Sequence, residues 1–327
     1  MVKIAVAGGA GNVGQEVLDA LVARNKHEIL LLSRKDAPKT PIAPGVKWLK
    51  TTYEDTDELV KMLEGVHTVL SFMSIPPGPG SAKPQLNLID ASIRAGVKRF
   101  APSEWVGGDF KDFPWYDFKR ETREYLANIN KEKKVIEYTL FRFGLFTNYM
   151  TYPYKSSKHI TVFETPFNFN NQRALVVDNG EAVIAITTIQ DVAKVTALVV
   201  EYEGEWPLVS GAKSADMTLN EVIALGQKIR GKPFKVESLK SSDLSEGKVE
   251  ASWLPLPEHP SIPDEAVAGI AAQMTKGVLL GWKNGALNIP DTWNRLLPDY
   301  KFTSPEQFLT EAWALIDNGA KEVFTQD

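Results

Sequence analysis

The chain has 327 residues, of which 43% are hydrophobic and 24% charged, and its formal net charge is −4. This length suffices for one large core or two smaller ones, and the slightly acidic balance argues against nucleic acid as a partner. The absence of cysteine excludes disulfides, thiolate metal sites and a cysteine nucleophile, and it fits a reducing compartment.

No targeting or membrane segment is predicted. The apolar stretch 4–7 is shorter than the core of a signal peptide, and glycine follows it at once. No window of about 18 apolar residues occurs, so no membrane span is expected. These observations predict a cytoplasmic protein.

The first half of the chain alternates strand and helix signals. Apolar runs predict strands over 2–7, 29–32, 47–50, 68–72, 99–101 and 138–143. Helical spacing predicts helices after the first strand and over 57–63, 86–93 and 118–128, and the proline-rich segment 76–80 is expected to be irregular. Repeated β-α units of this kind predict an α/β fold, a Rossmann-type doubly wound parallel sheet with helices on both faces.

The pattern changes after residue 145. Residues 150–182 are aromatic and polar without a helical period, and we expect them to be irregular. Residues 185–200 predict a strand followed by a helix. Further helices are predicted over 218–230, 264–280 and 304–317, and Thr218 with Glu221 three residues on forms a capping-box signal at the start of the first.

A glycine-rich turn separates the first strand from the first helix. Its spacing is Gly8-x-x-Gly11-x-x-Gly14, with Asn12 and Val13 opening the helix. Such glycines permit the tight turn, the approach of a phosphate to the backbone, and close packing of helix on strand. The helix N-terminus then offers amides and a partial positive charge to a diphosphate. In this strand-turn-helix context the motif predicts dinucleotide binding rather than an ordinary turn.

The end of the second strand selects the dinucleotide. A carboxylate there is typical of NAD enzymes, but this strand ends in Ser33-Arg34-Lys35. Two cations stand where a 2′-phosphate would lie, which predicts NADP(H), although Asp36 opposes this prediction slightly and a solvated basic loop is the alternative. We therefore assign residues 1–150 to an NADP(H)-binding Rossmann domain, and we expect residues 183–203 to return to this domain. Residues 151–182 and 204–327 are assigned to a smaller C-terminal α/β substrate-binding lobe.

Catalytic groups are expected past the carboxyl ends of the fourth to sixth strands. Lys119 lies on the helix after the fifth strand, and Tyr116 precedes it by three residues, so the two share a face if the helix includes Tyr116. A lysine there would protonate or polarise a substrate oxygen. The surrounding residues are charged, so a solvated lysine is the alternative.

Other chemistries find little support. The four histidines, His27, His67, His159 and His259, are isolated, so no metal site is predicted. No Gly-x-Ser-x-Gly elbow occurs, which argues against a serine hydrolase of that type. Aromatic residues in 115–169, among them Phe146 and Tyr149, are candidates to line a pocket for a flat substrate, or else pack between lobes.

Several motifs together resemble the NmrA-like and isoflavone reductase-like group of atypical short-chain dehydrogenases. The match runs to about residue 200, and its most specific part extends from Gly96 to Trp105. The matching elements are the glycine turn, Arg34, Gly65-Val66-His67-Thr68-Val69-Leu70-Ser71, Leu86-x-Leu88-Ile89-Asp90-Ala91, Gly96-Val97-Lys98-Arg99-Phe100, Pro102-Ser103-Glu104-Trp105, Lys119 and Asp191-Val192-Ala193.

The resemblance implies NADP(H) binding and, in its reductase branch, reduction of aromatic natural products of secondary metabolism. It implies a catalytic role for Lys119, whereas the usual Tyr-x-x-x-Lys register is broken because Trp115 stands four residues before Lys119. The other branch contains regulators that sense NADP(H) without turnover and often lack the lysine, so Lys119 favours the enzyme. An isomerase or cyclase that retains a structural nucleotide is a third alternative.

These arguments predict an NADPH-dependent reductase of a small, aromatic or phenolic oxygenated metabolite. The expected assembly is a monomer or homodimer, with a small-molecule substrate and neither nucleic acid nor membrane as a partner. The residues predicted to bind the cofactor are Gly8, Gly11, Asn12, Val13, Gly14, Ser33, Arg34, Lys35, Ser71, Met73 and Lys119, and those predicted to line the substrate pocket are Ser103, Trp105, Tyr116, Phe146 and Tyr149.

Overall fold

A computed structural model describes residues 1–78, 80–108, 110–257 and 264–324. Its strands are β1 (Lys3–Ala7), β2 (Glu28–Ser33), β3 (Val46–Lys50), β4 (Thr68–Ser71), β5 (Arg99–Ala101), β6 (Glu137–Tyr138), β7 (Leu140–Arg142), β8 (Leu145–Phe146), β9 (Phe167–Asn168), β10 (Arg173–Val177), β11 (Val183–Thr187), β12 (Val209–Gly211), β13 (Ala215–Thr218) and β14 (Lys235–Leu239). Its helices are α1 (Asn12–Ala23), α2 (Thr56–Met62), α3 (Lys83–Arg94), α4 (Asp117–Ile129), α5 (Ile189–Glu201), α6 (Leu219–Arg230), α7 (Ser241–Ser245), α8 (Asp264–Lys283), α9 (Thr292–Leu296) and α10 (Pro305–Asp317).

The chain divides into two compact units. The first comprises residues 1–105, 115–142 and 190–211, and the second comprises 106–114, 143–189 and 212–327. This division differs from the predicted boundaries because β8 pairs with β11, which places both strands in the second unit. In the same way, β12 pairs with β7 and so belongs to the first unit. The binding roles assigned to the two parts remain predictions.

The first unit contains a six-stranded parallel sheet in the order β3-β2-β1-β4-β5-β6. Ala7 at the end of β1 lies opposite Leu32 on one neighbour and Ser71 on the other, so three carboxyl ends are aligned. Strands β1, β2, β4 and β5 are buried over most of their length, whereas β3 and β6 are only partly buried. Leu59, Leu88 and Leu126 of the helices α2, α3 and α4 belong to the core of this unit. The predicted Rossmann-type α/β fold is confirmed.

The predicted strand 138–143 is wrong as a single element. Thr139 still donates its amide to Phe100 of β5 at 3.1 Å, but its hydroxyl donates to the carbonyl of Pro207 at 2.5 Å. From Leu140 the chain pairs with β12 in a separate two-stranded parallel ladder. The backbone therefore leaves the main sheet at Thr139, which divides the predicted strand into β6 and β7.

The second unit contains two three-stranded sheets, in the orders β13-β11-β8 and β14-β10-β9. The expectation that 150–182 is irregular was wrong, since Phe167–Asn168 pairs antiparallel with Arg173 and Ala174 in a hairpin. Sequence pattern missed this hairpin because its first strand has two residues, and Gln172 in the connection adopts a left-handed φ of 49°. The predicted capping box is confirmed: Thr218 accepts from the amide of Glu221 at 3.1 Å, and the Glu221 carboxylate accepts from Thr218.

Within the described ranges, no helix is long and apolar enough to cross a membrane. Likewise, the described part of the chain brings no three histidine, aspartate or glutamate side chains into a metal-binding cluster. His259 and Pro79, which entered the sequence predictions, lie outside the described residues.

Candidate cofactor and active site

The glycine turn lies against the end of β4. Gly8 has a φ of +70°, and a Cβ on it would lie 2.8 Å from the carbonyl atoms of Phe72 and 2.9 Å from the amide nitrogen of Met73. Its amide donates to the carbonyl of Leu32 at 3.0 Å, which ties the turn to β2. Glycine is required here for both reasons, conformation and space.

The start of α1 is equally close-packed. A Cβ on Gly14 would lie 2.8 Å from the Gly8 oxygen and from Gly9 Cα, so the helix approaches the turn only because Gly14 has no side chain. Gly11 is the N-cap and provides no side-chain cap. The first turn of α1, at Asn12, Val13 and Gly14, forms a helix N-terminus, and helix N-termini suit an anion.

Beside this turn lies a cavity of about 400 Å³. Six of the predicted cofactor residues line it: Gly8, Gly11, Ser33, Arg34, Lys35 and Met73. Residues that the sequence did not single out complete its wall, among them Thr52, Tyr53, Ile75, Ser81 and Pro84. The cavity therefore joins the glycine turn to the ends of β2 and β4, as a dinucleotide requires.

The cations at the end of β2 are available to a ligand. Arg34 and Lys35 are exposed, and among the residues that the structure describes neither forms an ion pair. Ser33 is buried, and its hydroxyl accepts from the Lys35 amide at 3.1 Å. Asp36, which weakened the sequence argument, pairs with Lys50 at 2.6 Å. With the glycine cradle, these side chains fit a dinucleotide that carries a 2′-phosphate.

Tyr53 is a residue of this site that sequence reasoning missed. Its side chain is buried, and its hydroxyl donates to the Leu32 carbonyl at 2.7 Å and accepts from the Gly8 amide at 3.2 Å. Burial raises the pKa of Tyr53 to about 12, so its phenol stays protonated. The only sequence signal was its position, three residues beyond β3 on the carboxyl side of the sheet.

A buried polar network joins the ends of β4 and β5. The Ser71 hydroxyl donates to Gln85 Oε1 at 2.9 Å, and the same oxygen accepts from the Ser103 amide at 3.2 Å. The Ser103 hydroxyl donates to the Met73 carbonyl at 2.9 Å. Ser71, predicted to lie along the nucleotide, is fully buried and does not line the cavity, whereas Met73 does. Ser103 therefore holds the Met73 carbonyl directly, and Ser71 is joined to Ser103 through the shared acceptor Gln85.

Trp105 belongs to an aromatic stack. Its ring stacks on Phe72 at 4.1 Å and on Phe141 at 4.9 Å, and its indole nitrogen donates to the Ser71 carbonyl at 2.7 Å. Its φ of 63° places a bulky residue in the left-handed region, a conformation typical of functional loops. These contacts give Trp105 a packing role, and its predicted place in a substrate pocket remains a prediction.

Lys119 is buried, with 5% of its surface exposed, so the alternative of a solvated lysine is wrong. Its ammonium donates to the Glu104 carbonyl at 2.6 Å and lies 4.6 Å from the centroid of the Tyr116 ring. The pKa of Lys119 is lowered to about 8, mainly because the ammonium is buried; the charge of Glu104 opposes this shift and that of Arg123 adds to it. An ammonium that titrates near neutrality is suited to proton transfer.

Glu104 and Arg123 form an ion pair beside Lys119. Arg123 donates from Nε to Glu104 Oε1 at 2.9 Å and from Nη2 to Oε2. The Glu104 side chain is completely buried. Burial and the charge of Arg123 lower the pKa of Arg142, and the Arg142 Nε is buried with no hydrogen-bond partner among the residues that the structure describes. Lys119, Arg123 and Arg142 therefore each interact with the charge of Glu104.

The remaining predicted pocket residues lie in different places. Tyr116 ends a short 3₁₀ helix, Pro114–Tyr116, directly before α4, and burial raises the pKa of its phenol. Phe146 and Tyr149 belong to the second unit, where their rings stack at 5.7 Å and Tyr149 lies 4.2 Å from the Phe163 ring. Their role toward a substrate remains a prediction.

Comparison with known proteins identifies relatives. A family model described as the NmrA-like family matches residues 2–264. Oxidoreductase BOA1 of Botryotinia fuckeliana is 30% identical over 79% of this chain and 87% of its own. Oxidoreductase swnN of Metarhizium robertsii is 25% identical over 96% of this chain and 98% of its own.

Solved structures share the fold. The NADPH-dependent quinone oxidoreductase QOR2 of Escherichia coli, solved with NADPH, has a TM-score of 0.69 at 22% identity, covering 95% of this chain and 99% of its own. A structure described as AtPrR2 with NADP+ and (+)pinoresinol has a TM-score of 0.68 at 19% identity, covering 94% of this chain and 98% of its own.

Proposed function

Because the chain belongs to the NmrA-like family, we propose that it is an NADP(H)-dependent oxidoreductase that reduces a small oxygenated metabolite. The observation that carries this proposal is the cavity in which the glycine turn and the exposed cations Arg34 and Lys35 lie together. The two relatives named oxidoreductases and the neighbours solved with NADP(H) support it.

The proposed cofactor roles are supported by the lining of the cavity and by the glycine turn beside it. Gly8 lets the backbone approach the ligand, and the amides of 12–14 at the start of α1 take the diphosphate. Ser33, Arg34 and Lys35 take the 2′-phosphate, with the Arg34 guanidinium as the bidentate partner. Met73 lies along the nucleotide, held by the Ser103 hydroxyl. When bound, NADPH would supply the hydride.

Lys119 is proposed as the proton donor or polarising group. Its pKa of about 8 leaves most of the population protonated at neutral pH. A buried ammonium stabilises an oxygen that gains negative charge, because few waters screen the interaction. The positive charges of Arg123 and Arg142, which lie near Glu104, add to this stabilisation of a negatively charged oxygen. Activity that depends on this proton falls as the pH rises through about 8.

The proposed substrate is an aromatic or phenolic compound that carries a reducible oxygen function. Support for this finer statement comes from the structural neighbour described with (+)pinoresinol and from the aromatic rings at Phe146, Tyr149 and Phe163 of the second unit. Flat rings bind favourably against such side chains.

The test measures NADPH oxidation against a panel of phenolic, quinone and keto compounds. Lys119→Ala is expected to lose turnover by about 100-fold or more, the usual contribution of a general acid, while the Kd for NADPH is retained. Arg120→Ala is the matched control, because Arg120 is an exposed cation on the same helix. Tight NADPH binding without turnover of any compound would reject the reductase and favour a nucleotide-sensing protein.

A further inference from the structure

We propose that Arg123 and Glu104 are positioning residues for Lys119, in which Arg123 fixes the Glu104 carboxylate and Glu104 thereby presents its backbone carbonyl to the Lys119 ammonium. This inference rests on the proposed function, since it assigns how the proton donor of that reaction is held. Neither residue is required to touch substrate or cofactor.

The contacts form one connected unit. Lys119 and Arg123 are four residues apart on α4, so they project from the same face of the helix. Both donate to the same residue, Lys119 to the Glu104 carbonyl at 2.6 Å and Arg123 to the Glu104 carboxylate with Nε at 2.9 Å and also with Nη2. A two-point contact of this kind restricts the orientation of Glu104 as well as its position.

The backbone at this point needs such an anchor. Trp105 follows Glu104 and has a φ of 63°, which a bulky residue adopts only when its surroundings hold it there. Lysine also loses rotamer entropy when its side chain is fixed. When Arg123 holds the Glu104 side chain in place, the Glu104 backbone carbonyl has one defined position. Lys119 then has one defined acceptor, and its ammonium one defined orientation.

The same three residues set the charge around Lys119. The groups that face it include Glu104 from the loop after β5, Arg123 from α4, and the Tyr116 and Phe118 rings at the start of that helix. Glu104 raises the pKa of Lys119, whereas Arg123 lowers it. Removing one or the other charge must therefore shift the Lys119 pKa in opposite directions, which loss of packing alone would not do.

The experiment compares the variants Glu104→Gln and Arg123→Gln in the full-length protein, with and without NADPH. The protein is produced with ¹³C-labelled lysine, so that the buried side chain needs no chemical modification; the Lys119 Cε signal is assigned by its absence in Lys119→Arg, and its titration is followed by NMR. Glu104→Gln is expected to lower the titration midpoint and Arg123→Gln to raise it, each by about half a pH unit or more. The alkaline limb of kcat is expected to move with each midpoint.

Two further variants make the outcome decisive. Arg123→Lys keeps the charge but loses the two-point contact with Glu104, so its midpoint is expected to stay near the wild-type value while kcat falls. Arg120→Gln is the exposed control on the same helix and is expected to change neither. Unchanged midpoints, or shifts in the same direction, overturn the proposal. If Glu104→Gln does not fold, Arg123→Gln and Arg123→Lys decide it, because an Arg123→Gln midpoint equal to the wild type overturns it.

Failure of this inference is distinguishable from failure of the proposed function. The titration requires no turnover, so it reports the effect of Glu104 and Arg123 even when no substrate is reduced. Conversely, full turnover by Lys119→Ala would reject Lys119 as the proton donor. The titration midpoints measured in the Glu104 and Arg123 variants would not be affected by that result.

Discussion

Tyr53→Phe removes one hydroxyl from the junction of the glycine turn and β2. In the wild type this hydroxyl donates to the Leu32 carbonyl at 2.7 Å and accepts from the Gly8 amide at 3.2 Å. The Gly8 amide also donates to Leu32 directly at 3.0 Å, so the variant leaves both backbone groups with a partner. We therefore expect a loss of about 1 kcal/mol in the free energy of unfolding, the ordinary net value of a hydrogen bond.

The pH dependence of the free energy of unfolding gives a second, independent estimate of the contribution of Tyr53. Because burial raises the pKa of Tyr53 from 10.0 to about 12, the folded state favours the protonated phenol. This contribution is fully present below pH 10 and is lost as the pH rises toward 12; two pKa units correspond to about 2.7 kcal/mol. Phenylalanine has no proton to lose, so the stability difference between the two proteins should shrink and then reverse with rising pH.

The assay is urea denaturation of both proteins at neutral pH and at about pH 11, with NADPH affinity measured by fluorescence at neutral pH. The NADPH Kd should rise in Tyr53→Phe because Gly8 is held less firmly. A neutral-pH loss above about 3 kcal/mol would show that a backbone group had been left unpaired, against the geometry described. Equal alkaline losses in both proteins would refute the assignment of the shifted phenol.

Three further predictions concern separate features. Gly8→Ala should weaken NADPH binding by about tenfold or more, because its Cβ would meet the Phe72 backbone at 2.8 Å, whereas Gly45→Ala, with a φ of +77° and nothing within 4 Å, should reduce only thermal stability, by about 1–2 kcal/mol. Arg34→Asp should raise the Kd for NADPH far more than that for NADH, with the exposed Lys39→Asp as the control; equal affinities for the two nucleotides in wild type and variant would reject the phosphate site. Thr218→Ala should cost about 1 kcal/mol in urea denaturation through loss of the α6 cap without changing NADPH affinity.

Much of the first unit could be predicted from the sequence because its signals are local. The apolar run before Gly8, the glycine spacing and Ser33-Arg34-Lys35 each indicate the conformation of their own segment. The cavity is lined by residues of the glycine turn and of Ser33-Arg34-Lys35. The break of the sheet at Thr139 could not be predicted in this way, since it depends on a partner at Pro207 that is remote in sequence.

The parts of the site that sequence missed depend on contacts between distant segments. Tyr53 reaches Gly8 across 45 residues, and Gln85 accepts from Ser71 and Ser103 only because β4 and β5 are neighbours. Lys119 is a related case: its neighbours along the helix are charged, which is typical of a solvated face, yet its side chain is buried. Whether a helical residue is buried depends on what the helix packs against, which the sequence of that helix alone does not contain.

The contrast between Gly8 and Arg34 has an evolutionary consequence. Gly8 is confined by backbone on several sides, so nearly any replacement damages the fold together with the function. Arg34 and Lys35 are exposed and line the same cavity, so replacing them alters ligand choice with little effect on folding. Selection can therefore change which nucleotide this scaffold accepts through one or two surface substitutions, while the architecture that holds the nucleotide stays constant.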